Sequence, residues 1–194
     1  MASLGTFRRG GGPQKKHLLP KGVGCIHYGE IYTHYEPHIR QTKSYVTSQI
    51  AAKSRIAPPG SVIIATTSEN DDDLGRAVAW SGSAPIAVSN HTLIYETTLN
   101  PKYVSYFLRS SAFHVQKRRH IIGTKVRSLP QKSLNTICIP VHSADQQDQI
   151  VSRLDSLRRL HSDLITCLRL EITSRRKQYE YYRDKLLTFK ELKE

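Results

Sequence analysis

The last fifty residues, Asp145 to Glu194, contain no Gly and no Pro, whereas the first 144 hold all 11 Gly and all 9 Pro. A run this long without helix breakers, with apolar residues on a repeating stripe, is predicted to form one extended helix. Its start is marked chemically. Ser143-Ala144-Asp145-Gln146 fits the S-x-x-Q capping box, and Pro140 stops the strand predicted just upstream. Val151, Leu154, His161, Ile165, Leu168, Ile172, Tyr179, Tyr182, Leu186 and Phe189 follow alternating three- and four-residue steps, with Arg158 and Arg175 at the two positions that break the apolar run. Ile150, Leu157 and Leu164 widen the stripe in the first half. At 1.5 Å per residue the helix spans roughly 70 Å, too long for the preceding residues to cover. The stripe therefore calls for a second long helix as its simplest partner. The alternative is an αα-hairpin within one chain, broken near Cys167–Leu170.

The charge is uneven. Residues 1–144 hold 18 Lys/Arg against 7 Asp/Glu, a net of +11, and residues 145–194 hold 11 against 9, a net of +2. The positive excess sits ahead of the helix, where it would draw polyanions and release counterions from a phosphate backbone. The plain alternative is a soluble basic protein without a specific partner. At 194 residues and 38% apolar content, one core of ordinary size plus an appendage fits. The N-terminus MASLGTFRRGGG lacks the apolar stretch of a signal peptide, and no segment has the apolar length of a membrane span. Cys25, Cys138 and Cys167 are widely spaced and form no CxxC pair, which fits reduced thiols in the cytoplasm.

From Gly22 to about Pro140 the chain shows short runs rich in β-branched and aromatic residues: 25–32, 61–67, 76–80, 85–89, 92–96 and 136–140. Turn residues separate them, so each is predicted as a strand. Two helices interrupt the pattern. Asn100 can cap the first, with Pro101 at its first position, and it is predicted to run through Leu108; a second follows from Ala112 to about Arg119. The expected fold class is α+β: a mostly β domain with a helical hairpin over 1–142, then one long helix over 143–194.

Several blocks in order resemble the specificity subunits of type I restriction-modification systems. RRKQYEYYRDKLLTF (175–189) is similar to the end of the conserved helix of that family, and DQQDQIVSRLDSL (145–157) to its start. GCIHYGEIYTHY (24–35), PGSVIIATTSENDDDLGRAVAW (59–80), and KYVSYFLRSSAFHVQKRRHIIGTKVRSL (102–129) with ICIP (137–140) resemble the opening, middle and close of a target-recognition domain. Family members usually carry two such domains and two helices. This chain has one of each and no internal repeat, so it resembles a half-subunit, natural or truncated. The resemblance implies that the helices pack antiparallel and hold the recognition domains apart. A half-subunit would rebuild this as a C2 homodimer through Val151, Leu154, His161, Ile165, Leu168, Ile172, Tyr179 and Leu186. Two identical readers should then bind an interrupted palindrome in double-stranded DNA. The implied protein partners are modification (methyltransferase) subunits, met near Tyr179–Arg183, and restriction subunits through them. Methyl transfer, cleavage and S-adenosylmethionine belong to those subunits, so this chain is expected to be non-catalytic and to carry no cofactor. The alternatives are a truncated decoy or silent cassette that dimerises with a full-length subunit, and a standalone DNA-binding regulator.

Two clusters are candidate DNA contacts. Lys117, Arg118 and Arg119 precede the loop carrying Lys125 and Arg127; the basic side chains could meet phosphates, and Arg127 could fork onto a guanine. Tyr28, Tyr32, His34 and Tyr35, with Arg40 and Lys43 beyond, form an aromatic-basic cluster. For each the alternative is a solvated charge or a core aromatic. Arg8, Arg9, Lys15 and Lys16 lie in a Gly-rich segment that would be a flexible phosphate-binding arm or a disordered tail. Catalytic and metal sites are not predicted. Glu69-Asn70-Asp71-Asp72-Asp73 reads as a solvated turn, His27, His34 and His38 lack zinc-ligand spacing, and Gly10-Gly11-Gly12-Pro13 lacks the helix and Lys of a phosphate loop.

Overall fold

A computed structural model describes residues 1–188. In chain order the elements are β1 (Gly5–Arg9), β2 (Val23–Ile26), α1 (Tyr28–Thr33), β3 (His38–Ile39), β4 (Ser44–Val46), α2 (Ser48–Ala52), β5 (Arg55–Ala57), β6 (Val62–Ala65), β7 (Thr67–Ser68), β8 (Ala77–Trp80), β9 (Ile86–Val88) and β10 (Thr92–Thr97). There follow α3 (Pro101–Phe107), α4 (Ser111–Arg118), β11 (Arg127–Ser128), α5 (Gln131–Thr136) and α6 (Ala144–Leu187). The chain divides into two compact units, Met1–Val151 and Ser152–Glu194.

Within the first unit, β6 and β8 are continuous apolar runs because both their faces are covered. They sit inside a five-stranded sheet ordered β1-β10-β6-β8-β3, in which only β3 and β8 run parallel. Val62 and Ile64 of β6 point to one face and Ile63 and Ala65 to the other, as the two-residue strand period requires. The first pair joins Leu93 and Tyr95 against the helices, meeting Val104, Leu108, Phe113 and Leu134. The second pair packs against Ile26, Ile86 and Val88 of a smaller sheet ordered β4-β2-β9-β5, and against Ile31 of α1. The far side of that small sheet is closed by Ala51 and Ile50 of α2 over Cys25 and Val46. The fold is thus α+β, with mixed sheets, a helical hairpin and one long terminal helix.

The first helix of the pair has its expected cap: the Asn100 carboxamide oxygen accepts from the amides of Lys102 (2.8 Å) and Tyr103 (3.3 Å). The second begins at Ser111 rather than Ala112, because the Ser110 hydroxyl, not singled out in the sequence, accepts from the Phe113 amide (3.3 Å). Residues 25–32, expected as a strand, instead leave β2 at Ile26 and enter α1. His27 caps this helix: its Nδ1 accepts from the Gly29 amide at 3.2 Å, while Glu30 Oε2 accepts from the His27 amide at 3.2 Å. This is a capping box with imidazole in place of a hydroxyl. Residues 136–140 also form no strand. Ile137 and Ile139 do alternate inward, but the Cys138 backbone pairs with a side chain: its amide donates to Gln116 Oε1 (2.8 Å) and its carbonyl accepts from Gln116 Nε2 (2.9 Å). The carboxamide takes the place of a neighbouring strand.

The long helix is continuous from Ala144 to Leu187, without a break at Cys167–Leu170. Its capping box is formed: Ser143 Oγ accepts from the Gln146 amide (3.3 Å) and Gln146 Oε1 from the Ser143 amide (3.2 Å). Its first two turns belong to the first unit. Gln147 is buried, accepting from the Asn100 amide (2.8 Å) and donating to the His142 carbonyl (2.8 Å). Val151, expected on the partner-facing stripe, is only 6% exposed and packs in the chain's own core, with Ile150 beside it. Taken by itself, the second unit leaves Leu157, Leu164, Leu168, Ile172, Tyr179, Tyr182 and Leu186 exposed. His161 is exposed as well, and Leu154 and Ile165 are half-buried. Phe189 lies outside the described residues.

The three thiols differ. Burial pushes the Cys25 thiol up to about 12, whereas Cys138 and Cys167 are exposed. Because the thiolate is the reactive form, native alkylation read by mass spectrometry is expected to label Cys138 and Cys167. Cys25 should react only after denaturation; labelling of Cys25 at the same rate as the others would contradict its placement.

Candidate nucleic-acid interface

The loop between β7 and β8 is acidic, yet it is anchored from several sides. Asn70 donates its amide to Ser68 Oγ (3.1 Å), and its own carboxamide accepts from the Asp72 amide (2.9 Å). Asp71 pairs with Arg127 of β11, Asp73 with Arg76 (3.2 Å), and Asp72 lies 3.8 Å from His114 of α4. β11 pairs antiparallel with β7, setting Arg127 opposite Ser68. The turn is exposed at Glu69, Asn70 and Asp72, as a solvated turn should be, and is tied to neighbouring elements through Asp71 and Asp73.

Lys117 is the anchor beneath this loop. Although it was expected among the phosphate contacts, it is 1% exposed, and its ammonium donates to the carbonyls of Asp72 (3.1 Å) and Leu74 (2.6 Å). It also lies 5.4 Å from the centre of the Phe113 ring. An ammonium spent on loop carbonyls is not available to a phosphate, so Lys117 holds the loop in place. Burial pushes it down to about 8, against the opposing pull of Asp72, Asp71 and Asp73. A folded value below the ordinary 10.5 means that the unfolded chain holds the extra proton between about pH 8 and 10.5. Stability from this group therefore rises with pH across that window. The wild-type minus Lys117→Met difference in unfolding free energy, from urea titrations, should rise over the same range; a flat difference would contradict this.

Around the anchor, Arg118, Arg119 and Lys125 are exposed, and Arg127 is half-buried. The loop carrying Lys125 is closed by the Ile122–Ser128 bridge, with Gly123 in the left-handed region (φ 94°), where a Cβ would lie 2.4 Å from the Val126 carbonyl oxygen.

The structure joins part of the second cluster to this surface. The Tyr32 hydroxyl donates to the Thr67 carbonyl (2.6 Å), and Thr67 and Ser68 pair with Ser128 and Arg127. Tyr28 stands on the same helix, half-buried, with its ring 6.5 Å from Tyr32 and 5.4 Å from His91. Tyr35 is buried: its hydroxyl accepts from the Lys43 amide (2.9 Å) and donates to Glu30 Oε2 (3.3 Å). Burial raises both Tyr32 and Tyr35 well above the usual phenol value, so neither acts as an anion. His34, Arg40 and Lys43 are exposed. Arg8 and Arg9 lie not in a flexible arm or tail but on β1, paired along its length with β10, and Arg8 binds Glu96. Lys15 and Lys16 stand exposed in a single helical turn over Lys15–His17. Two residues not singled out in the sequence, Asn90 and His91, line a cavity with Tyr28, and Thr67 Oγ1 lies 3.3 Å from His91 Nδ1. The sequence signal of Asn90 and His91 is a polar turn between two apolar runs. Among the described residues, no group of three or more His, Cys, Asp or Glu is placed to hold a metal ion, and no helix is long and apolar enough to cross a membrane.

No protein-family model matches the chain. It is 25% identical over 191 residues to the type I restriction enzyme EcoR124I/EcoR124II specificity subunit of Escherichia coli, covering 97% of this chain and 47% of that protein. It is 33% identical over 119 residues to a putative type I restriction enzyme specificity subunit of Haemophilus influenzae, covering 60% of this chain and 30% of that one. Among solved structures it is similar to a chain from a type I restriction-modification system studied for complex assembly and conformational transition. There the TM-score is 0.63 at 15% identity, over 92% of this chain and 42% of that chain. The S subunit from M. genitalium gives a TM-score of 0.56 at 13% identity, over 94% and 43%. The chain thus spans about half the length, or less, of the relatives it matches. In sequence the chain is thus similar to part of the specificity (S) subunits of type I restriction-modification systems, and its fold resembles part of chains from such systems.

Proposed function

We propose that the chain is a non-catalytic DNA-specificity module of a type I restriction-modification complex. Each chain binds one half-site, and a C2 homodimer binds a gapped palindrome while recruiting adenine-methylating modification subunits, and restriction subunits through them, in the cytoplasm. The observation that carries this reading is the similarity across 97% of the chain to about half of one specificity subunit. Physical support comes from two features. The net charge of +11 on residues 1–144 suits a phosphate backbone, and the exposed apolar side chains of α6 need a partner surface that a second copy of the same helix supplies.

Co-expression with the cognate modification subunit, followed by mapping of methylated adenines, tests it. A motif of two inverted half-sites with a fixed gap is expected. Complex formation without methylation would favour a decoy that dimerises with a full-length subunit. DNA binding without complex formation would favour a standalone regulator.

A further inference from the structure

Two cavities of the first unit meet at Asn90 and His91, in the turn between β9 and β10. One, of about 330 Å³, reaches from Arg9 past Thr67 to Gln131; the other, of about 340 Å³, reaches from Lys15 to Tyr28. Neither is lined by Asp or Glu. His91 has φ 63° and, among the described residues, is the one non-glycine in the left-handed region. Glycine adopts that backbone freely; of the other residues Asn, Asp and His enter it most often, at some cost in strain. Strain of this kind persists where the surroundings fix it, and it clusters at ligand sites.

The surroundings do fix it. Thr92 Oγ1 donates to the Ser89 carbonyl (2.7 Å), and Ser89 Oγ accepts from the Tyr28 amide (2.9 Å); both Ser89 and Thr92 are buried. Between them Asn90 and His91 are exposed. The His91 ring is held edge-to-face with Tyr28 at 5.4 Å, and its Nδ1 lies 3.3 Å from Thr67 Oγ1, leaving Nε2 for a ligand. A rigid turn thus presents the Asn90 amide, whose oxygen also accepts from the Gly12 amide (3.3 Å), and an imidazole able to donate or accept, between two cationic side chains suited to phosphates.

We propose that the Asn90-His91 turn is a base-contacting element for duplex DNA, with Arg9 and Lys15 on the flanking phosphates. This rests on the reading of the chain as a DNA-specificity module. The full chain is first used to select duplexes from a randomised library. Wild type, His91→Gly, His91→Asn and Asn90→Ala are then compared by fluorescence anisotropy on a selected duplex and on an unrelated one. Gly and Asn both tolerate the left-handed backbone, so both His91 variants should keep the wild-type thermal midpoint or exceed it. Both should bind the unrelated duplex with unchanged affinity and salt slope, and the selected duplex about tenfold or more weakly. Asn90→Ala should likewise lose selected-site affinity alone. Wild-type affinity of both His91 variants for the selected duplex would overturn the proposal. So would equal losses on both duplexes with a lowered midpoint, which would make His91 a structural residue. If wild type enriches no duplex, the DNA-specificity reading itself fails, a result distinct from either of these.

Discussion

Replacing Leu164 and Leu168 together by Glu should convert a dimer into a monomer at micromolar concentration. These side chains are 57% and 45% exposed in the chain by itself, so the first unit should keep its thermal midpoint. In an antiparallel pair each substitution occurs twice across the two-fold axis, placing four carboxylates in an apolar seam. Unpaired charge buried at an interface is disfavoured by several kcal/mol, enough to dissolve association of ordinary strength. The loss should propagate to DNA. Two linked half-site readers gain roughly 10²- to 10⁴-fold in avidity over one, so the variant should bind a palindromic duplex about as weakly as a half-site. Light scattering reads the mass and anisotropy reads the affinity. A variant that remains dimeric would place the contact on another face of the helix.

The second large effect concerns the Arg127–Asp71 pair. Arg127 is paired with Asp71 in the DNA-free chain, so a guanine or phosphate must compete with that carboxylate. Arg127→Ala should lower affinity for a selected site by about 1–3 kcal/mol and relax preference at one base pair, with the salt slope unchanged. A uniform loss across sequences, with a salt slope reduced by about one, would instead mark a phosphate contact. Asp71→Asn should act in the opposite sense. It releases the guanidinium and removes a negative charge from the surface, so affinity for any duplex should rise while discrimination falls. That outcome would mean that the pair sets a threshold for DNA contact.

Much of the architecture was legible because local chemistry and tertiary packing agree. The Ser143/Gln146 box, the Asn100 cap and the apolar runs of β6, β8 and β10 each mark an element that packing then uses. Legibility failed where a side chain does backbone work. His27 starts a helix inside a strand-like pattern, and Gln116 pairs with the Cys138 backbone where a strand was expected. The stripe of α6 runs unchanged from the chain's own core at Val151 to exposed Leu157, because helical periodicity is the same on either side of a unit boundary. The candidate site was half legible for a similar reason. A run of Lys and Arg closing a helix marks a basic surface. It does not separate Lys117, turned inward onto loop carbonyls, from Arg118 and Arg119, which are exposed. His91 left almost no trace, since its distinguishing feature is a backbone angle.

If two copies of this chain, joined through α6, read DNA as a symmetric pair, the duplexes that the full wild-type chain enriches from a randomised library should carry the signature of that symmetry. Sequencing them should return one motif made of two identical inverted half-sites at a single fixed spacing; a lone unpaired half-site, or half-sites at arbitrary spacing, would contradict symmetric reading.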